Sequence, residues 1–291
     1  MDKPFATGLV VGKFAPLHKG HQLVIERAQT LCEHTVLVSY CKPELPGSEP
    51  ERREQWLAAC FPGATRLVVT DEGLAQWLPD DRPAMPVPAN FEADEVHRDF
   101  IAMLCQRVLK RRIDAVFTSE AYGAGFAAHL TRSFRQFDPS AGEVAHIMVD
   151  PERRLVPVSA TQLRQDIGRH WSYLPARVAA SFVRRIAVLG GESSGKSVLA
   201  AALAEELGTE CVGEYGRELW EARGGVLEFE DMIRIAQQQV RREEDAIARS
   251  RGFVICDTTP LTTLFYSIEM FRRAAPELVD LAMRPYSDVV L

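Results

Sequence analysis

Apolar runs of four or five residues alternate along this chain with longer stretches whose apolar residues recur three and four apart, the rhythm of strands and helices in turn. Gly8-Leu9-Val10-Val11 predicts a first strand, and His18 to Leu31 a helix with Leu23, Val24, Ala28 and Leu31 on one side. Val36 to Ser39 predicts a second strand, Glu51 to Cys60 a helix, Arg66 to Val69 a third strand and Pro79 to Pro88 a proline-rich loop. Glu95 to Arg112 carries Val96, Phe100, Met103, Leu104 and Val108 at helical spacing and leads into the strand Ala115-Val116-Phe117, tipped by Thr118-Ser119-Glu120. His146 to Val149 is a further strand, Thr161 to Ile167 a short helix, and Arg177 to Phe182 a helical approach to the second half.

There, Arg185 to Leu189 predicts a strand, Ser197 to Leu207 a helix, Glu210 to Val212 a short strand, and Glu230 to Ser250 a long helix using Ile233, Ala236, Val240 and Ile247. Phe253 to Asp257 is a buried strand ending in a carboxylate, Thr262 to Arg273 a helix, and Val289 to Leu291 the start of another strand. Alternating strands and helices predict an α/β protein with parallel sheets. A length of 291 residues favours two domains, and the boundary falls near Arg184, giving 1–184 and 185–291. The charge run Arg241-Arg242-Glu243-Glu244-Asp245 reads as a solvated helix face.

Composition narrows the class: 46% hydrophobic and 25% charged residues are ordinary for globular domains. A net charge of −6 works against broad binding to nucleic acid, so no nucleic-acid partner is expected. Six cysteines without C-x-x-C pairs predict reduced, buried thiols, and no window reaches membrane-spanning length. The first residues lack a signal-like apolar core, so the expected location is cytoplasmic, without a membrane partner.

Two stretches carry chemistry. Gly190-Gly191-Glu192-Ser193-Ser194-Gly195-Lys196-Ser197 satisfies G-x-x-x-x-G-K-[S/T] between a predicted strand and helix. Such a loop turns backbone N–H groups toward phosphate, adds the helix N-terminus and Lys196, and offers the Ser197 hydroxyl to Mg²⁺. The bland alternative is a glycine-rich turn. Asp257, closing an apolar strand, stands where a phosphate-loop enzyme holds Mg²⁺ or its water; otherwise it is a strand-end cap for the next helix. The other stretch, Gly12-Lys13-Phe14-Ala15-Pro16-Leu17-His18-Lys19-Gly20-His21, puts two imidazoles three apart at the start of a helix. There the helix dipole favours anions, Gly20 lets phosphate approach, and two donors can stabilise charge on an α-phosphate. The alternatives, exposed helix residues or a metal pair, lack a third ligand at suitable spacing.

The decapeptide resembles the G-x-F-x-P-x-H-x-G-H signature of the nucleotidylyltransferase superfamily. Val158-Ser159-Ala160-Thr161-Gln162-Leu163-Arg164 is similar to that family's second motif, I-S-x-T-x-x-R, whose hydroxyls and arginine engage the β- and γ-phosphates. With His170-Trp171, Thr118-Ser119-Glu120, Tyr122-Gly123 and the later phosphate loop, nearly the whole chain resembles the bifunctional nicotinamide-nucleotide adenylyltransferase and ribosylnicotinamide kinase family. The resemblance implies a Rossmann-like transferase domain joining NMN and ATP into NAD and pyrophosphate, then a phosphate-loop kinase domain converting ribosylnicotinamide to NMN. It implies ATP as co-substrate at both sites with Mg²⁺, and these small molecules as partners; oligomeric state stays open, a homo-oligomer included.

His18, His21, Lys196, Glu214 and Asp257 are then the expected catalytic groups. Gly12, Lys13, Phe14, Gly20, Ser159, Thr161 and Arg164 bind nucleotide in the first domain; Gly190, Gly191, Ser194, Gly195, Lys196, Ser197 and Arg217 do so in the second, with Ser197 and Asp257 on the metal. Glu214 is the implied base toward the 5′-hydroxyl, its alternative being a surface ion pair with Arg217. Because the first strand begins within ten residues of Met1, no DNA-binding repressor role is implied. The family's lid arginines, final strand and adenine loop are expected beyond Leu291; either the sequence is a truncated or partial product or the lid function is lost. The rival reading is another nucleotidylyltransferase, acting on a coenzyme A precursor or a CDP-alcohol, fused to a nucleotide-sensing phosphate-loop module.

Overall fold

A computed structural model describes residues 3–79 and 85–291; residues 80–84, within the loop expected over Pro79 to Pro88, lie outside the described residues. The chain divides into a unit of residues 1–178 and a unit of residues 179–291.

The first unit runs β1 (Phe5–Val11), α1 (Lys19–Leu31), β2 (Cys32–Ser39), α2 (Pro50–Cys60), β3 (Thr65–Val68), α3 (Asp71–Trp77) and α4 (Asp94–Met103). It continues through β4 (Ala115–Thr118), α5 (Gly123–Phe137), β5 (Ala145–Met148) and α6 (Ala160–Gln165), and α7 (Ala176–Ala180) straddles the boundary. The strands pair in parallel in the order β3-β2-β1-β4-β5, with Leu9 opposite both Val36 and Val116. Succession reverses between β1 and β4, and beyond the carboxyl ends of those strands a crevice opens where such sheets take ligands. Leu9, Val36, Val116, Phe100, Leu104 and Leu130 are fully buried in one continuous core.

The helix expected over Glu95 to Arg112 is shorter: α4 passes into a π-turn over Leu104–Val108, and Lys110, at φ 47°, turns the chain out. Two elements had no assignment in the sequence. Helix α5 buries Phe126, Ala127, Leu130 and Phe134 at helical spacing, but Gly123 and Gly125 open it and mask the pattern. Helix α3 has only seven residues and a Thr70 cap.

The second unit runs β6 (Arg184–Val188), α8 (Lys196–Glu206), β7 (Cys211–Val212), α9 (Tyr215–Ala222), α10 (Phe229–Arg249) and β8 (Phe253–Asp257). It ends with α11 (Pro260–Phe271), α12 (Pro276–Ala282) and β9 (Asp288–Val290). All its strands pair in parallel, in the order β7-β8-β6-β9. Ala200 and Ala204 of α8 pack on Val188 and Ile255, while Ala246 and Ile247 of α10 pack on Val254 and Cys256 with Val212. Both units are mixed α/β with parallel sheets.

Two further expectations change here. The run from Arg241 is not wholly a solvated face: Glu243 is completely buried, and it accepts from Tyr286 Oη at 2.7 Å and Arg284 Nε at 3.1 Å. Helix α10 thus turns one acidic position inward because an arginine and a tyrosine near β9 wait for it. The cysteines are free, but Cys211 is exposed and Cys60 only half-buried, since β7 is a two-residue edge strand. Among the described residues no helix is long and apolar enough to cross a membrane.

Candidate functional site

Gly12 extends the sheet by donating to Val38 O at 3.0 Å, and Phe14, buried at φ 49°, folds the chain back toward α1. His18 is the N-cap of α1 and not part of its first turn: Nδ1 accepts from Gly20 N at 3.1 Å and His21 N at 3.4 Å. A neutral ring accepting at Nδ1 carries its proton on Nε2, so His18 keeps a donor. The His21 ring stacks on it, centroids 3.7 Å apart. Both histidines are buried or nearly so, not the exposed helix residues of the bland reading. Burial, reinforced by Arg153 and Arg164, lowers the His18 pKa to about 4. Burial, then the neighbouring His18 and Arg153, holds His21 well below its ordinary value. Two neutral imidazoles amid cations are therefore built in. His21 Nδ1 is buried without a partner among the described residues. A Cβ on Gly20 would lie 2.9 Å from His18 Cε1, so glycine there keeps the cap in place.

Arg164 ties the two predicted motifs together across the fold, donating to Ala15 O and, at 3.0 Å, to Thr161 Oγ1. Ser159 caps α6 in a reciprocal box with Gln162, accepting from Gln162 N at 3.2 Å while Gln162 Oε1 accepts from Ser159 N at 2.8 Å. His18, His21, Lys13 and Arg164 line one cavity of about 500 Å³ at the switch point, with Ser159 and Thr161. Gly12, Phe14, Gly20 and the tip Thr118-Ser119-Glu120 complete that wall.

Sequence reasoning missed three residues of this cavity and its support. Arg153, at φ 51°, lines it and donates to Glu120 Oε1 and Val158 O, each at 3.3 Å. Asp150 shapes the turn beneath it, its carboxylate accepting from the amides of Arg154 at 2.8 Å and of Leu155 and Val156 at 3.1 Å. The Asp150-Pro151 pair was the available turn signal. Arg53, fully buried, grips Glu44 at 2.8 and 2.9 Å and donates to Ser39 Oγ at 3.1 Å. Ser39 Oγ in turn donates to Lys13 O at 3.1 Å, so a buried cation steadies the histidine loop's entry. Nothing in the local pattern of α2 distinguishes Arg53 from its exposed neighbours.

In the second unit the loop between β6 and α8 has the left-handed turns a phosphate cradle needs: Ser193 at φ 57° and Gly195 at φ 87°, with Gly190 at φ 152°. Ser194 Oγ and Lys196 Nζ both donate to Gly191 O, at 2.9 and 2.6 Å. Ser197 follows in the exposed first turn of α8. Asp257 ends β8 opposite Val188, 5% exposed, with Oδ1 unpartnered. It does not cap α11, whose N-cap is Thr259. Glu214 and Arg217 form an ion pair at 3.4 Å, the glutamate more sheltered than the arginine. Tyr266 of α11, unassigned in the sequence, donates to Glu192 Oε1 at 3.4 Å, and burial with the carboxylates of Glu192 and Glu214 pushes its hydroxyl pKa up. Two carboxylates and a phenol thus gather beside the phosphate loop.

A doubly wound sheet with paired histidines at its switch point, and a second parallel sheet bearing a loop of phosphate-loop sequence, define an α/β protein of two parallel sheets with two candidate phosphate sites. Residues 185–291 match the family described as AAA domain. The chain is similar to the trifunctional NAD biosynthesis/regulator protein NadR of Salmonella typhimurium, with 28% identity over 275 residues, covering 88% of this chain and 61% of that protein. The Escherichia coli protein of the same name is 27% identical over the same shares. The chain thus spans about three fifths of the length of these relatives. Crystal structures of NadR in complex with NAD and AMP-PNP, and with NR, share the fold at TM-scores of 0.66 and 0.65 and 21% identity. They cover 99% of this chain, which covers 82% and 78% of theirs.

Proposed function

We propose that the chain is an enzyme of NAD synthesis with two consecutive activities: residues 1–184 transfer the adenylyl group of ATP to NMN, and residues 185–291 phosphorylate ribosylnicotinamide to NMN. The meeting of the stacked His18–His21 pair with Lys13 and Arg164 in one cavity carries the reading. An NMN phosphate oxygen attacks the α-phosphorus of ATP in line, the new P–O bond makes NAD, and the bond to pyrophosphate breaks, with no covalent enzyme intermediate. Neutral His18 donates from Nε2 to the charge developing at the α-phosphate, and Ser159, Thr161 and Arg164 take the β- and γ-phosphates. Gly12, Phe14 and Gly20 keep the approach open.

At the second site the amides of the Gly190–Ser197 loop, with Gly191, Ser194 and Gly195, hold the phosphates of ATP, Lys196 reaches the transferred group, and Arg217 contacts substrate. Glu214 accepts the proton of the 5′-hydroxyl as its oxygen attacks the γ-phosphorus; the new P–O bond makes NMN while the γ-phosphorus bond to the bridging oxygen breaks and ADP leaves. The orphaned Asp257 Oδ1 and the exposed Ser197 hydroxyl fit Mg²⁺, which takes few protein oxygens and completes its shell with phosphate and water. When bound, the ion neutralises charge on the β- and γ-oxygens. Relatives named for NAD biosynthesis, and a NadR structure holding NAD and AMP-PNP, support both assignments. With Mg·ATP and NMN, the purified chain forms NAD, and His18→Ala with His21→Ala lowers kcat by about 10²-fold or more; undiminished NAD from that variant would refute the first assignment.

A further inference from the structure

At the end of the first sheet opposite the histidine cavity, the π-turn after α4 and the end of α5 flank an open groove of about 630 Å³. Arg107, Lys110, Arg111 and Arg112 line it, four cations within six residues, facing one carboxylate, Asp138. That carboxylate is already engaged by Ser140, through N at 2.9 Å and Oγ at 2.6 Å. Helix C-termini attract basic side chains without any ligand, but these helix ends are served otherwise. At the end of α5 the Asp138 amide donates to Phe134 O at 2.9 Å, and the π-turn carbonyls of Leu104 and Cys105 accept from the Leu109 and Arg111 amides at 2.9 and 3.0 Å. Lys110 and Arg111 are exposed and have no ion-pair partner among the described residues, whereas Arg112 reaches Asp114 only at 3.7 Å. Beside them Phe137, the last residue of α5, is 76% exposed. A π-turn followed by a left-handed residue is an irregular way to end a helix, and such turns gather at functional sites. Here it fans successive cations around one groove in a chain of net charge −6.

We infer that this groove binds a nucleotide, its phosphates on Lys110, Arg111 and Arg112 and its base stacked on Phe137. One exposed ring suits one base; a polynucleotide needs successive stacking platforms and a basic track, which the acidic net charge opposes. The groove's volume lies in the range of small-molecule sites. It lies away from the histidine cavity, so occupancy adds a third nucleotide site to the full chain.

Photolabelling of the full chain with 8-azido-ADP, followed by peptide mapping, tests this by location. The expected result is label on residues 105–112 or 134–141, reduced about tenfold or more by Lys110→Glu with Arg111→Glu. Phe137→Ser, with an unchanged circular dichroism spectrum, should weaken it several-fold. Absence of label there in the wild type, or label unchanged by the double reversal, would overturn the inference. Inorganic phosphate competing as well as ADP would also overturn it, as would a single-stranded oligonucleotide competing better.

Discussion

Burial and the neighbouring arginines hold His18 and His21 as neutral rings, and that state is measurable. Between pH 6.5 and about 4 the unfolded chain takes up a proton on His18 that the fold refuses. Sign follows: the unfolded state binds more protons, so this contribution to stability is intact above pH 6.5 and is lost as pH falls toward 4. Imidazole ¹⁵N shifts recorded across pH should show both rings neutral at pH 5.5, and a midpoint near 6.5 for either would contradict the geometry. Gly20→Ala drives a methyl against the capping ring, at 2.9 Å from its Cε1. The expected result is a loss of roughly 10²-fold in NAD formation, with little change in melting temperature, because misplacement and not unfolding is the fault. The sequence shows these histidines plainly, since close spacing near a helix start is a local fact. Arg153 and Arg53 were hidden, because their roles come from Glu120, 33 positions away, and from a Glu44 partner that only the fold brings near.

At the scale of elements, the rhythm of apolar runs placed every strand, because parallel strands buried on both faces read as continuous apolar segments. Helices α3, α5, α9 and α12 escaped, α5 because glycines open it and the others because they have only seven or eight residues. The charge run on α10 misled for a physical reason: periodicity marks which residues are charged, not which charge has a buried partner. Glu243 has two, Tyr286 and Arg284, and burial pushes its pKa up against their pull. Replacing Glu243 with alanine leaves a cavity, takes the acceptor from Tyr286 and leaves Arg284 only its second carboxylate, Glu244, so urea denaturation should report a loss of about 1–3 kcal/mol. Glu243→Gln, which keeps an acceptor for Tyr286, should lose less; equal losses would mean that packing alone matters.

For the whole molecule, each unit has its own sheet and core, and the proposal gives each one phosphate-binding loop. Lys196→Ala should therefore spare NAD formation from NMN while abolishing NMN formation from ribosylnicotinamide, and the histidine double variant should do the reverse. The direct test gives the full chain Mg·ATP and ribosylnicotinamide and follows products by chromatography. The account predicts NMN first and NAD after it, with NMN accumulating alone in the His18→Ala, His21→Ala variant. NAD made equally well by that variant, or no NAD from wild type even when NMN is supplied, would contradict it.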